Sequence, residues 1–385
     1  AIFDTIVNHL YVMACTAWSY PFATGDIVFR TDASPSTGMG HLMRCLALGR
    51  AMGEAGVYRL LSRPDVRLDD MLTPVLDAGW QVSTLPDGLD DAQDAAATAE
   101  QAETARADLV ITDLCSRAFI DRPDRLSRYH TALRACCSQP VLSIEDCRMT
   151  AFTSDIAIVP YECGNPDLPA RAEEGCVLKA GGGYYVGDAR LAERRAERRI
   201  EKEVSRVLVS IGGSDAQGFA VDVARAFSLA TEWTPEVRIL VGRGMTLERR
   251  AELDTACAGR PNLEVVDFTD DMGALLVWAD IAILGEGLVR FEAAITGTPS
   301  VTISQVEHDS GVLKHFYGLG VTRYLGRADR LSGEEIVSGV RALAEDAGAR
   351  RRQSETGMRL YDGGGTARIA ELANQLAKEG RQCRH

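Results

Sequence analysis

Twice along the chain, short runs rich in valine, isoleucine and leucine alternate with longer amphipathic stretches. Each alternation opens on a strand that breaks into glycines. In the first, DIVFRTD (26–32) runs into a loop, and a helical pattern follows from His41 to about Gly53, with Leu42, Cys45, Leu46 and Gly49 sharing a face. Strands are predicted at 58–63, 80–85, 108–114, 140–146 and 155–160, and helices at 68–78, 90–106 and 122–137. The second alternation opens on SRVLVSIGGSD (205–215) and a helix near 216–230. Strands follow at 236–242, 263–268, 279–287, 299–304 and 321–326, and helices at 246–257, 270–278, 288–296 and 309–318. Two further helices are predicted at 333–347 and 366–379. Strand–helix alternation of this kind predicts an α/β fold with parallel sheets and right-handed crossovers.

Two such alternations predict two Rossmann-like domains facing across a cleft. A length of 385 residues suits two cores better than one. The composition shifts at 161–186, which reads as a connection, and at RLAERRAERRIEKE (190–203), which reads as a solvated helix or linker face. The expected division is an extension at 1–25, a first domain at 26–185, a linker at 186–204 and a second domain with its C-terminal helices at 205–385. Sheets of this kind bind ligands at the C-terminal ends of their strands, so the cleft is the expected site.

A net charge of −13 argues against a nucleic-acid partner. Ten cysteines with no C-x-x-C pair read as free thiols in a reducing cytoplasm rather than a zinc or redox site. Residues 1–24 are apolar but carry Asp4 and His9 and lack a basic start, so they make a poor signal peptide and a poor membrane span. They read as an extension that packs on the fold or on the second subunit of a homodimer. The expected location is cytoplasmic.

Four loops carry chemistry. In the first, Gly38 and Gly40 bring backbone close to a ligand, and His41 falls in the first turn of a helix. The positive end of a helix disfavours imidazolium, which suits a general base. Asp32, at the end of the preceding strand, is the candidate partner of His41. The second loop holds Gly212, Gly213 and Ser214, small residues suited to a phosphate or ribose. In the third, Gly285 and Gly287 precede a helix whose free N–H groups suit a diphosphate, and Glu292 lies one turn on. Glu286 in that loop would repel a diphosphate unless it points away. The fourth, QVEHDSG, turns Glu307, His308 and Asp309 toward the cleft. No Asp-x-Asp occurs, so metal-bridged diphosphate binding of that type has no visible ligands.

Together these segments resemble the nucleotide-sugar enzymes related to the pseudaminic-pathway UDP-sugar hydrolase and the spore-coat protein SpsG. Those are GT-B-fold proteins similar to MurG-type glycosyltransferases. FRTDASPSTGMGHLMRCLALG, VLVSIGGSD, GLVRFEAAITGTPSVTIS and YDGGGTARIA carry the likeness, over roughly 26–375. The resemblance implies a nucleoside-diphosphate sugar as donor substrate, with no further cofactor and no metal. The second domain would hold the nucleotide. Gly212, Gly213, Ser214, Gly285, Gly287 and Leu288 would take the diphosphate, Glu292 the ribose, and Phe268 would flank the base. In the first domain His41, held or polarised by Asp32, would serve the anomeric carbon. Gly40, Arg44, Glu307, His308 and Asp309 would contact the sugar. The implied activity is a metal-independent glycosyltransferase acting on a small hydroxyl, amine or thiol acceptor, or else a hydrolase using water.

Overall fold

The computed structural model describes residues 26–32, 40–53, 57–63, 72–114, 123–145, 151–160, 172–213, 215, 217–304 and 316–382. Residues 1–25, read above as an extension, lie outside them.

The first half is a seven-stranded parallel sheet. Its strands are β1 (Ile27–Thr31), β2 (Tyr58–Ser62), β3 (Gln81–Thr84), β4 (Leu109–Asp113), β5 (Val141–Ile144), β6 (Ile156–Val159) and β7 (Val177–Ala180), in the order β3-β2-β1-β4-β5-β6-β7. Every residue of β1, β4, β5 and β6 is buried, as expected of strands covered by helices on both faces. The helices are α1 (Gly40–Met52), α2 (Thr73–Asp77), α3 (Asp91–Thr104) and α4 (Pro123–Cys136). Asp90 starts α3 through a capping box with Gln93, which satisfies two otherwise unpaired N–H groups.

A short helix, α5 (Arg190–Arg194), leads to the second half, a six-stranded parallel sheet. Its strands are β8 (Arg206–Ser210), β9 (Glu236–Leu240), β10 (Leu263–Val266), β11 (Ile281–Leu284), β12 (Ser300–Ser304) and β13 (Arg323–Arg327), in the order β10-β9-β8-β11-β12-β13. Around it lie α6 (Phe219–Leu229), α7 (Leu247–Cys257), α8 (Met272–Trp278), α9 (Val289–Thr296), α10 (Gly333–Ala344) and α11 (Ala347–Leu360). The last helix is α12 (Gly365–Gln382).

Four features depart from the sequence reading. The stretch read as a connection contains β7, a four-residue edge strand pairing with β6. The chain between the two predicted tail helices forms α11, whose buried face is Arg350, Gln353, Ser354 and Gly357.

The charge run at 190–203 is not a wholly solvated face. Arg198 is buried and donates to the carbonyls of Leu276, Ala279 and Thr296 and to the Thr298 hydroxyl. Arg195 donates to the carbonyls of Met358 and Tyr361. These are the unpaired C-terminal carbonyls of α8, α9 and α11, and a cation there is favoured by the helix dipole. Arg350 does the same for α10 through Leu343 and Ala344, and reaches Glu201 and Lys202 in the linker.

Lastly, α12 does not stay with the second sheet. Ile369, Ala370, Ala373 and Ala377 pack into the core under the first sheet with Phe29, Leu46 and Ile111. The chain therefore passes between the halves twice.

Candidate active site

β1 and β4 are central neighbours, so their C-terminal ends and the start of α1 come together at the cleft edge of the first sheet. His41 is the second residue of α1 and Asp113 the last of β4. Their side chains meet, with Nδ1 of His41 2.6 Å from Oδ1 of Asp113. One turn on, Arg44 donates to the same carboxylate with both edges of its fork, Nε to Oδ2 at 2.9 Å and Nη2 to Oδ1 at 2.6 Å. Arg44 Nη2 also lies 2.8 Å from His41 Nδ1. The Thr31 hydroxyl donates to the Asp113 carbonyl at 2.8 Å and fixes the strand end.

Asp113 is fully buried. Burial pushes its carboxyl up, but the charge of Arg44, the neighbouring His41 and their hydrogen bonds outweigh it and hold the group below the ordinary carboxylate value. An ionised carboxylate only accepts, so the 2.6 Å contact requires the hydrogen on His41 Nδ1. In the neutral ring Nε2 then carries the lone pair. Among the described residues nothing hydrogen-bonds it.

The structure corrects two assignments here. Asp32 does not hold His41. Its carboxylate accepts from Arg30 at 2.6 and 3.2 Å and from the Arg63 backbone N–H at 2.9 Å. Arg30 is itself clamped by Asp94, on the sheet face opposite α1. Arg44 is 2% exposed and turned onto Asp113, which removes it from the sugar contacts. The carboxylate that the sequence reading missed is the terminal residue of DLVITDL, an acid ending an otherwise apolar buried strand.

In the second half, β8 ends in Ile211, Gly212 and Gly213. A side chain on Gly242 would overlap the Gly212 and Gly213 carbonyls, and one on Gly285 would overlap that of Ile211. Glycine at both places lets the turns after β8, β9 and β11 pack against each other. Gly287 and Leu288 follow, and α9 begins. A Cβ on Gly40 would stand 3.2 Å from Leu288 Cδ1. The N-terminus of α1 and the N-terminus of α9 thus meet across the cleft, and both present positive dipole ends; in α9 the N–H groups of Arg290, Phe291 and Glu292 are already taken by the Gly287 and Leu288 carbonyls.

Glu286 points away from that junction. It accepts from the Tyr317 hydroxyl at 3.1 Å, and burial pushes its carboxyl up. Tyr317 in turn stacks on Tyr324, with ring centroids 4.6 Å apart. Glu292 has no hydrogen-bonding partner for its carboxyl among the described residues. Burial first, and then Asp188, push it up to about 7. Phe268 is exposed, and the Arg243 guanidinium lies 3.9 Å from its ring centroid. Arg243, carried by the turn after β9, was absent from the sequence reading. Ser214, Glu307, His308 and Asp309 lie outside the described residues. No group of three or more His, Cys, Asp or Glu among the described residues is arranged to hold a metal ion, and no described helix is long and apolar enough to cross a membrane.

Two facing parallel sheets with this site between them define the GT-B class of fold, and the chain resembles the nucleotide-sugar enzymes of that class. In sequence it is similar to the spore coat polysaccharide biosynthesis protein SpsG of Bacillus subtilis, 23% identical over 199 residues. That match takes in 51% of this chain and 58% of SpsG, little more than half of each. No protein-family model matches the chain. Among solved structures, MurG of Acinetobacter baumannii superposes with a TM-score of 0.62 at 14% identity, covering 91% of this chain and 99% of MurG. The UDP-GlcNAc 2-epimerase of Neisseria meningitidis, solved with UDP-GlcNAc bound, gives 0.57 at 12% identity over 90% of this chain and 99% of the epimerase.

Proposed function

We propose that the protein transfers a sugar from a nucleoside-diphosphate sugar to a small acceptor bearing a hydroxyl, amine or thiol. The observation that carries this reading is the bare Nε2 of His41, beside the point where α1 and α9 meet. In the reaction Nε2 takes the proton of the acceptor nucleophile. That nucleophile attacks the anomeric carbon, and the bond to the diphosphate oxygen breaks. The N–H groups of Gly287, Leu288 and Val289 at the start of α9, with the Gly212–Gly213 turn, meet the charge on the departing diphosphate, so the reading asks nothing of a metal. Glu292 receives the ribose hydroxyls, and Phe268 with Arg243 flanks the base. Attack by a single nucleophile from the opposite face inverts the anomeric centre.

The experiment is incubation with a panel of UDP-, GDP-, CDP- and dTDP-sugars and acceptors, read by mass spectrometry. A conjugate is expected, together with free nucleoside diphosphate. Release of free sugar without any conjugate would overturn the transferase.

The same Nε2 of His41 supports a second reading, in which it takes its proton from water and the protein is a nucleotide-sugar hydrolase. In that case oxygen-18 from solvent appears in the released sugar.

A further inference from the structure

We propose that Arg44 is a positioning residue: its bidentate grip on Asp113 keeps the His41–Asp113 pair free of an extra proton, and so sets the acidic limit at which Nε2 of His41 still works as a base. For its readout in turnover this rests on the proposed function; for its readout in the imidazole itself it does not.

The pair has two places for one added proton. If it goes to Asp113, the carboxylic acid donates to Nδ1 and the ring hydrogen sits on Nε2. If it goes to the imidazole, the ring becomes imidazolium and Nε2 again carries hydrogen. Either way the lone pair is lost. While the imidazole is neutral, Arg44 is the full positive charge in contact with a carboxylate that has no exposure. A buried carboxylate without a cation neutralises rather than staying charged. The route through Asp113 to the blocked state is therefore disfavoured by the guanidinium.

The other groups facing the pair do not substitute for it. From α1, Cys45 is a buried thiol pushed up by burial and by Asp113, so it stays neutral. From β1, Thr31 offers a hydroxyl, and that bonds the Asp113 carbonyl. Arg30 is committed to Asp94 and Asp32. The geometry also uses what distinguishes arginine from lysine, a planar fork that matches both carboxylate oxygens.

The test compares wild type, R44Q and R44K in two measurements. The first is nitrogen-15 NMR of the histidine ring in the ligand-free protein against pH; with six histidines in the chain, His41 is assigned by its absence in H41N. In R44Q the Asp113 carboxyl should take up its proton, and the ring hydrogen of His41 pass from Nδ1 to Nε2, at a pH higher by about one to three units, the range expected on removing an opposite charge from a carboxylate. R44K should lie between. The second is the pH–rate profile, whose acid limb should move up by the same amount, with the KM for the donor little changed. An unmoved nitrogen signal and acid limb in R44Q would overturn the proposal, as would a raised donor KM at constant kcat, the mark of a direct sugar contact. If no nucleotide sugar is turned over by wild type, the proposed function fails and the NMR series still decides the role of Arg44. If R44Q does not fold, R44K carries the test, and a wild-type proton uptake in it overturns the inference.

Discussion

The Thr366 hydroxyl bonds Gly187 in both directions, donating to its carbonyl at 2.7 Å and accepting from its N–H at 2.9 Å. Gly187 lies on the chain's first passage between the halves and Thr366 on the second. One side chain thus ties the two crossings to each other. Replacing it with valine keeps the shape and leaves a partly buried N–H and carbonyl unpaired. Thr366→Val should lower stability by about 1–3 kcal/mol in urea titrations, and a change under half of that would show the tie to be unimportant.

If His41 is the base of the proposed reaction, His41→Ala should cut turnover by about 100- to 10,000-fold while leaving nucleoside-diphosphate affinity unaltered, since the proposed step is on the acceptor and not on the nucleotide. Asp113→Asn should approach the same loss by freeing the ring to take the wrong tautomer. Steady-state kinetics and calorimetry separate the two quantities.

Glu292 makes a pH prediction with a definite sign. Its carboxyl rises from about 4.5 unfolded to about 7 folded, so the fold prefers the protonated form. The stability it contributes is fully present below about 4.5, declines as pH rises, and is gone above about 7. Glu292→Gln should therefore be more stable than wild type at pH 8, by about 1–3 kcal/mol, and no more stable at about pH 4. Thermal melts at the two pH values check this. The same variant should bind nucleoside diphosphates more weakly at both.

Arg198 donates to backbone carbonyls at the ends of two helices from a buried position. Arg198→Ala takes the guanidinium donor from the Ala279 and Thr296 carbonyls, leaves Leu276 with the Thr298 hydroxyl alone, and opens a cavity. A loss of at least about 3 kcal/mol is expected by denaturant unfolding, well above what a solvated linker arginine would show.

Gly242→Ala places a methyl group against the Gly212 and Gly213 carbonyls. The turn after β8 must shift to admit it. Donor affinity should fall at least about tenfold while the far-UV circular dichroism stays native, as expected when overpacking distorts a local site.

Much of this molecule was legible in the sequence because its information is local. Strands buried on both faces, such as β4 and β11, read as apolar runs, and α1 announces its start by glycine, histidine and a repeating face. α11 did not announce itself, because the face it buries is Arg350, Gln353, Ser354 and Gly357, which leaves no apolar period to find. β7 lies at an edge with none of its four residues fully buried, so it lacks the apolar run that marks β5, β6 and β11. His41 is singled out in the sequence by its place at a strand–helix turn, and the structure sets it there. Its partner was misassigned to Asp32, nine residues away, when the contact is with Asp113, 72 residues away. Spacing along the chain does not report which strand end a helix will face. Arg44 reads from the sequence as a sugar contact and Arg198 as part of a solvated charge run. A buried carboxylate in one case and helix-end carbonyls in the other brought them inside.

The return of α12 beneath the first sheet bears on how the protein is made. Ile369, Ala370, Ala373 and Ala377 share one buried cluster with Leu46 and Ile111 of the first half. The core on that side of the first sheet is therefore complete only after residues 365–382 have been made, so the folding of the first half is coupled to the synthesis of the second.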